Sequence, residues 1–154
     1  MEVVEYHRNT YLISTDKTKL NRELIHSFLS QLSYGAQGRS VAVVEKSVKH
    51  SLCFGVYADA AQVGFARIVT DYATFAWLCD VFIVEAHRGN GLSKWSVECV
   101  TTHPEPPSSK GYLLMSGIQR SESFALFFCR SSLRLLIQFS VPRFFWRTST
   151  GQWA

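Results

Sequence analysis

The chain has 154 residues, 47% of them hydrophobic and 14% aromatic, which is enough apolar material to fill the core of one domain, expected to span residues 1–154. No uncharged run reaches the roughly 18 residues of a membrane span, and the opening MEVVEYHRNT lacks the basic-then-apolar order of a secretory leader, so a soluble, cytoplasmic protein with no membrane partner is expected. The net charge of +4 is uneven: residues 1–103 hold ten basic and ten acidic side chains, whereas residues 104–154 hold six basic ones against Glu105 and Glu122.

In chain order, Tyr11 to Ser14 is β-branched and aromatic enough for a first strand, and Thr15-Asp16 offers a helix cap. From Lys17 to Leu32, the residues Leu20, Leu24, Phe28 and Leu32 recur every four positions with Ile25 and Leu29 beside them. This spacing predicts an amphipathic helix with Lys19, Arg22, Glu23 and Gln31 in solvent. A two-glycine loop follows, after which Ser40 can cap a second helix lined by Val41, Val44 and Val48. Leu52 to Tyr57 and Gln62 to Thr70 read as a hairpin joined by Ala58-Asp59-Ala60-Ala61, and Asp71-Tyr72-Ala73 leads into a third strand.

The stretch Trp77 to Val100 has the densest chemical content. Trp77 to Val84 is apolar or β-branched apart from Asp80, as in a strand buried on both faces. Arg88-Gly89-Asn90-Gly91-Leu92-Ser93 then places two glycines two apart, where the backbone can take positive φ and no Cβ obstructs a ligand. Leu92, Trp95, Ser96 and Cys99 fall at helical spacing behind it, leaving Ser93, Lys94 and Glu98 outward. A glycine loop entering a helix presents unpaired N–H groups that suit phosphate oxygens, although the same pattern also serves as an ordinary tight connection.

After His103 the text changes. Pro104-Glu105-Pro106-Pro107-Ser108-Ser109 reads as a linker or long turn, followed by a strand at Tyr112 to Ser116, a helix at Ser121 to Cys129 and a strand at Leu133 to Phe139. The whole is a mixed α/β chain of the α+β type with an atypical C-terminal segment over 104–154. Basic and aromatic residues together could suit nucleic acid, but the arginines follow no helical stripe and no RNA or DNA motif is present. Cys53, Cys79, Cys99 and Cys129 show no CxxC spacing and read as buried free thiols. His50 and Cys53 lack a second pair at ligand spacing, so no metal is expected. His87, ahead of the glycine loop, reads as an exposed loop histidine.

The string Arg88 to Ser93 resembles motif A of the GNAT superfamily of N-acetyltransferases, [Q/R]-x-x-G-x-[G/A], with Arg88 and Gly91 at their positions and Ser93 where glycine or alanine is usual. With the preceding strands the resemblance covers roughly residues 10 to 103. It implies a mixed, mostly antiparallel central sheet flanked by helices, and acetyl-CoA as co-substrate. By the same resemblance Phe82, Ile83 and Val84 pair with the pantetheine arm through their backbone, while Arg88, Gly89, Asn90, Gly91, Leu92, Ser93 and Lys94 hold the pyrophosphate. Tyr34, Arg39, Asp71 and Tyr72 then rim the acceptor cleft. Asp80, a carboxylate in a buried strand, is a candidate to take the amine's proton, against a structural role paired with an arginine such as Arg67. The family's general-acid tyrosine has no counterpart: Ala125-Leu126-Phe127-Phe128 is the nearest match, and phenylalanine has no proton to give. Two functions follow: an N-acetyltransferase acting on a primary amine of a small molecule, peptide or protein, or a catalytically weak acyl-CoA-binding or interaction protein. A homodimer remains open.

Overall fold

The computed structural model describes residues 2–32, 37–73 and 75–105, together with the backbone of strands at 112–115, 124–129 and 136–139. Its strands are β1 (Glu5–Arg8), β2 (Tyr11–Ser14), β3 (Leu52–Ala58), β4 (Ala61–Thr70), β5 (Phe75–Ile83), β6 (Tyr112–Met115), β7 (Phe124–Cys129) and β8 (Leu136–Phe139). Its α-helices are α1 (Arg22–Leu32), α2 (Val41–Lys49) and α3 (Leu92–Thr102). The strands form one sheet in sequence order, antiparallel except where β6 runs parallel to β5. A parallel join needs a crossover, and α3 supplies it.

Helices cover both faces of this sheet. Leu92, Trp95, Cys99 and Val100 of α3 pack with Ile13, Phe54, Val56, Ala66, Ile68, Leu78 and Ile83. On the opposite face, Ile25, Phe28 and Leu29 of α1 and Val44 and Val48 of α2 pack with Cys53, Phe65 and Phe82. The mixed, mostly antiparallel sheet flanked by helices is thus the observed architecture.

Several boundaries differ from the sequence reading. The run from Lys17 to Leu32 is interrupted: Lys17–Lys19 is a short 3₁₀ turn capped by Asp16, which accepts from the Thr18 amide, and Leu20 is extended. Helix α1 then restarts under Asn21, whose side chain accepts from the Leu24 N–H at 2.9 Å. Val41 does not join the apolar side of α2; it is 52% exposed in the first turn, while Val44 and Val48 are buried. Strand β1 pairs with β2 through backbone bonds across a turn with Asn9 at φ 53. The segment Phe124–Cys129 is a strand paired with β6 and β8, not the expected helix. Its Phe-rich composition suits a pleated surface as well as it suits a helix face, and the two flanking ladders decide.

Candidate active site

Strand β5 hands over to α3 through a short connection. A 3₁₀ turn at Glu85–His87 is closed by the Arg88 N–H bonding the Glu85 carbonyl at 3.1 Å. Gly89 (φ +83) and Gly91 (φ +71) both lie in the left-handed region, and Gly91 caps α3, its carbonyl accepting the Trp95 N–H at 3.0 Å. The helical geometry leaves the amides of Leu92, Ser93 and Lys94 without carbonyls earlier in the helix. The space in front of this turn is open: a Cβ built on Gly89 or Gly91 meets no atom within 4 Å. Ser93 and Lys94 are exposed while Leu92 anchors the turn in the core. Room, orphan amides and a lysine fit a phosphate-bearing group.

Beside the loop lies a surface cavity of about 380 Å³ lined by His7, Arg8, Gly91, Lys94, Trp95 and Glu98. The Arg8 guanidinium stands 5.9 Å from the Trp95 ring centroid, a cation–π distance. His87 is half-buried rather than exposed, with Nδ1 3.4 Å from the Tyr11 hydroxyl. Arg88 folds back so that Nε donates to the Ile83 carbonyl at 3.0 Å, which ties the loop to the end of β5. Asn90 Nδ2 donates to the His87 carbonyl at 3.2 Å.

On its β6 side the end of β5 is unpaired among the described residues, save that the Ile83 carbonyl accepts from Arg88 Nε at 3.0 Å. Its ladder with β6 runs from Phe75↔Tyr112 to Leu78↔Met115, so among the described residues Phe82, Ile83 and Val84 have no ladder partner there. On the other side they are fixed, with Phe65↔Phe82, Gly64↔Ile83 and the Val84 N–H on the Val63 carbonyl at 2.9 Å. Between these stretches β5 bulges: Asp80 and Val81 together oppose Ala66 alone, and Asp80 takes φ 53.

Asp80 is engaged by arginine. Arg67 Nε donates to Oδ2 at 2.7 Å and Nη2 lies 2.6 Å from the same oxygen, while Arg39 Nη1 stands 3.6 Å from Oδ1. Arg39 therefore joins Asp80. Asp71 and Tyr72 lie instead in the turn where β5 begins: Asp71 Oδ1 accepts from the Ala73 and Phe75 amides at 3.0 and 2.9 Å, and the Tyr72 N–H donates to Thr70 Oγ1 at 2.9 Å. From that turn to Asp80 is about 17 Å of strand. Tyr34 lies outside the described residues. Sequence reasoning missed Ser51, whose Oγ accepts from Arg67 Nη1 at 2.9 Å, and the cross-strand pair Val69 and Trp77, 38% and 42% exposed on the Arg67 face. The last pair carried no signal, since Val69 and Trp77 each continue an apolar run. Among the described residues no group of His, Cys, Asp and Glu could hold a metal ion, and no helix is long and apolar enough to cross a membrane.

No family model matches the chain. A crystal structure of a provisionally named acetyltransferase of the GNAT family from Xanthomonas campestris pv. campestris is 41% identical with a TM-score of 0.64, over 72% of this chain and 75% of that one. This chain belongs to the GNAT family. A curated protein of Gibberella zeae, likewise a provisionally named acetyltransferase, is 29% identical over 59% of this chain and 62% of its own length, so the chain spans under two thirds of that relative. A Staphylococcus aureus structure of unknown function, named there a probable acetyltransferase, matches with a TM-score of 0.58 at 14% identity, over 70% of this chain and 80% of that one, a likeness of fold alone. The glycine turn at Arg88–Ser93 and the free β5 edge thus sit in a GNAT domain.

Proposed function

We propose that this GNAT protein transfers an acetyl group from acetyl-CoA to a primary amine of a small molecule, peptide or protein. The observation that carries the reading is the pairing of the left-handed Gly89/Gly91 turn with the free edge of Phe82, Ile83 and Val84 one turn of chain away. The turn amides and Lys94 hold the pyrophosphate, and the adjoining cavity leaves room for the nucleotide end. The free edge takes the pantetheine arm as a neighbouring strand would, which lays the thioester carbonyl beside the bulge at Asp80.

The amine nitrogen then attacks that carbonyl, forming a C–N bond, and collapse of the tetrahedral adduct breaks the C–S bond and releases the thiolate. The nitrogen must lose a proton along the way. Asp80 Oδ2 is taken up by Arg67, whereas Oδ1 accepts no hydrogen bond among the described residues, so Oδ1 is the atom we assign to receive the proton, directly or through water. Arg39 and the Val69–Trp77 pair flank the approach of the acceptor.

A second reading, acyl-CoA binding with little turnover, draws support from strand β7: it occupies Phe124–Cys129, the nearest match to the family's tyrosine-bearing helix. Coenzyme A thiolate is a fair leaving group without protonation, so the missing acid slows transfer, by about 10² to 10⁴-fold if proton help is absent altogether. Titrating acetyl-CoA into the protein and measuring free-thiol release with a panel of amines separates the readings. Fast release supports the first, binding without release the second, and no binding removes both.

A further inference from the structure

Arg67 is 8% exposed, within a strand, and its guanidinium is engaged on both branches. Nε and Nη2 grip Asp80 Oδ2 at 2.7 and 2.6 Å, and Nη1 donates to Ser51 Oγ at 2.9 Å, which ties the pair to the start of β3. A buried ion pair adds little net stability over an apolar pair of similar volume, because desolvation offsets the attraction. Its effect here is geometric. Asp80 sits in the left-handed region, uncommon for a residue with a Cβ, and opens the bulge that places two residues of β5 against Ala66. Without that extra residue, everything after it would slip by one and change faces. With it, Phe82 turns to the α1 side and stacks on Phe28, while Ile83 turns to the α3 side.

We propose that Arg67 is a positioning residue: anchored on Ser51, it holds Asp80 in the bulge and so sets the direction of the Phe82–Val84 edge that receives the pantetheine arm. This rests on the reading of that edge as the arm's partner. The glycine turn has an anchor of its own in Leu92, packed in the core on the α3 side, so the phosphate end of the ligand is gripped there independently of Arg67.

The two ends can be tested apart by calorimetry with two probes. Acetyl-CoA has both the arm and the phosphates; adenosine 3′,5′-bisphosphate has phosphates but no arm. In Arg67→Lys, whose single ammonium cannot reproduce the two-pronged grip, acetyl-CoA affinity should fall at least about tenfold while bisphosphate affinity stays within about twofold. Equal losses for both probes, or no loss for either, would overturn the assignment. If Arg67→Lys fails to fold, Ser51→Ala removes only the anchor and should lower the acetyl-CoA to bisphosphate affinity ratio by about threefold; an unchanged ratio overturns the assignment as well. A parent that binds neither probe would end both this proposal and the site reading beneath it. Selective loss of acetyl-CoA affinity in Arg67→Lys, with a parent that binds both probes but acetylates no amine, would instead sustain the role of Arg67 and remove only the transferase reading.

Discussion

The ring of Phe82 lies flat on that of Phe28, centroids 3.9 Å apart and planes 9° from parallel, so α1 is fastened directly to the C-terminal end of β5. Both rings are almost wholly buried. Phe28→Ala should therefore lower unfolding stability by about 3–5 kcal/mol, the usual range for emptying an aromatic core position, and Phe28→Leu by clearly less. Urea denaturation checks this. A loss under about 1 kcal/mol for the alanine variant would mean that the stack contributes little and that α1 is held by other contacts.

Gly91→Glu places a side chain and a negative charge in the open space before the α3 amides, on a backbone with φ +71. Acetyl-CoA affinity should fall at least tenfold, about 1.4 kcal/mol. Calorimetry on a variant shown to be folded by its melting transition decides the matter, and unchanged affinity would remove the phosphate cradle.

His103 gives a pH dependence whose sign can be worked out. The side chain is 1% exposed, packs edge-on against Phe54 at 5.4 Å, and accepts the Glu105 N–H at Nδ1. Burial lowers its pKa below the usual histidine value, with Glu105 pulling weakly the other way. A depressed histidine binds its proton more readily when unfolded. Stability from this group is thus complete above about pH 6.5 and declines as pH falls through that value toward the folded pKa, by at most about 1.4 kcal/mol per unit. Denaturation midpoints between pH 5 and 7.5 should slope less in His103→Gln than in the parent; parallel slopes would contradict the assignment.

Cys53, Cys79 and Cys99 are buried free thiols, each pushed up to about 11 by desolvation. Since the thiolate is the reactive form, a disulfide reagent at pH 8 should label none of them quickly in the folded protein and all three on unfolding. The measurement is made in a Cys129→Ser background. Rapid labelling of the folded protein would show an accessible thiolate among the three.

How far the sequence spoke depended on whether a feature left an apolar period. Helix α3 was legible to the residue, because Leu92, Trp95, Ser96 and Cys99 are all buried and Ser93, Lys94 and Glu98 all exposed. Strand β1 was not, because Glu5–Arg8 buries no residue fully and is held by its backbone ladder, which leaves no pattern in side chains. The Leu20–Asn21 break in the first helix was hidden by an apolar spacing that runs straight across it. The glycine turn could be found because positive φ selects glycine, whereas the bulge could not, because its left-handed residue is an aspartate that also makes an ion pair. The ion pair itself was foreseen as one role for Asp80, but not its anchoring on Ser51.

The β1–β2 pair and the β3–β4–β5 meander can be laid down hairpin by hairpin, each closing a short loop. Two joins differ: Ser14 and Gly55 are separated by α1 and α2, and Phe75 and Tyr112 by the glycine turn and all of α3. In kinetic terms these two are the slow closures, and the glycine turn, complete by Lys94, is expected to form before the second of them. Pulse-labelled hydrogen exchange should then protect β3–β5 and α3 ahead of β6, so that refolding acquires its glycine turn earlier than its full sheet.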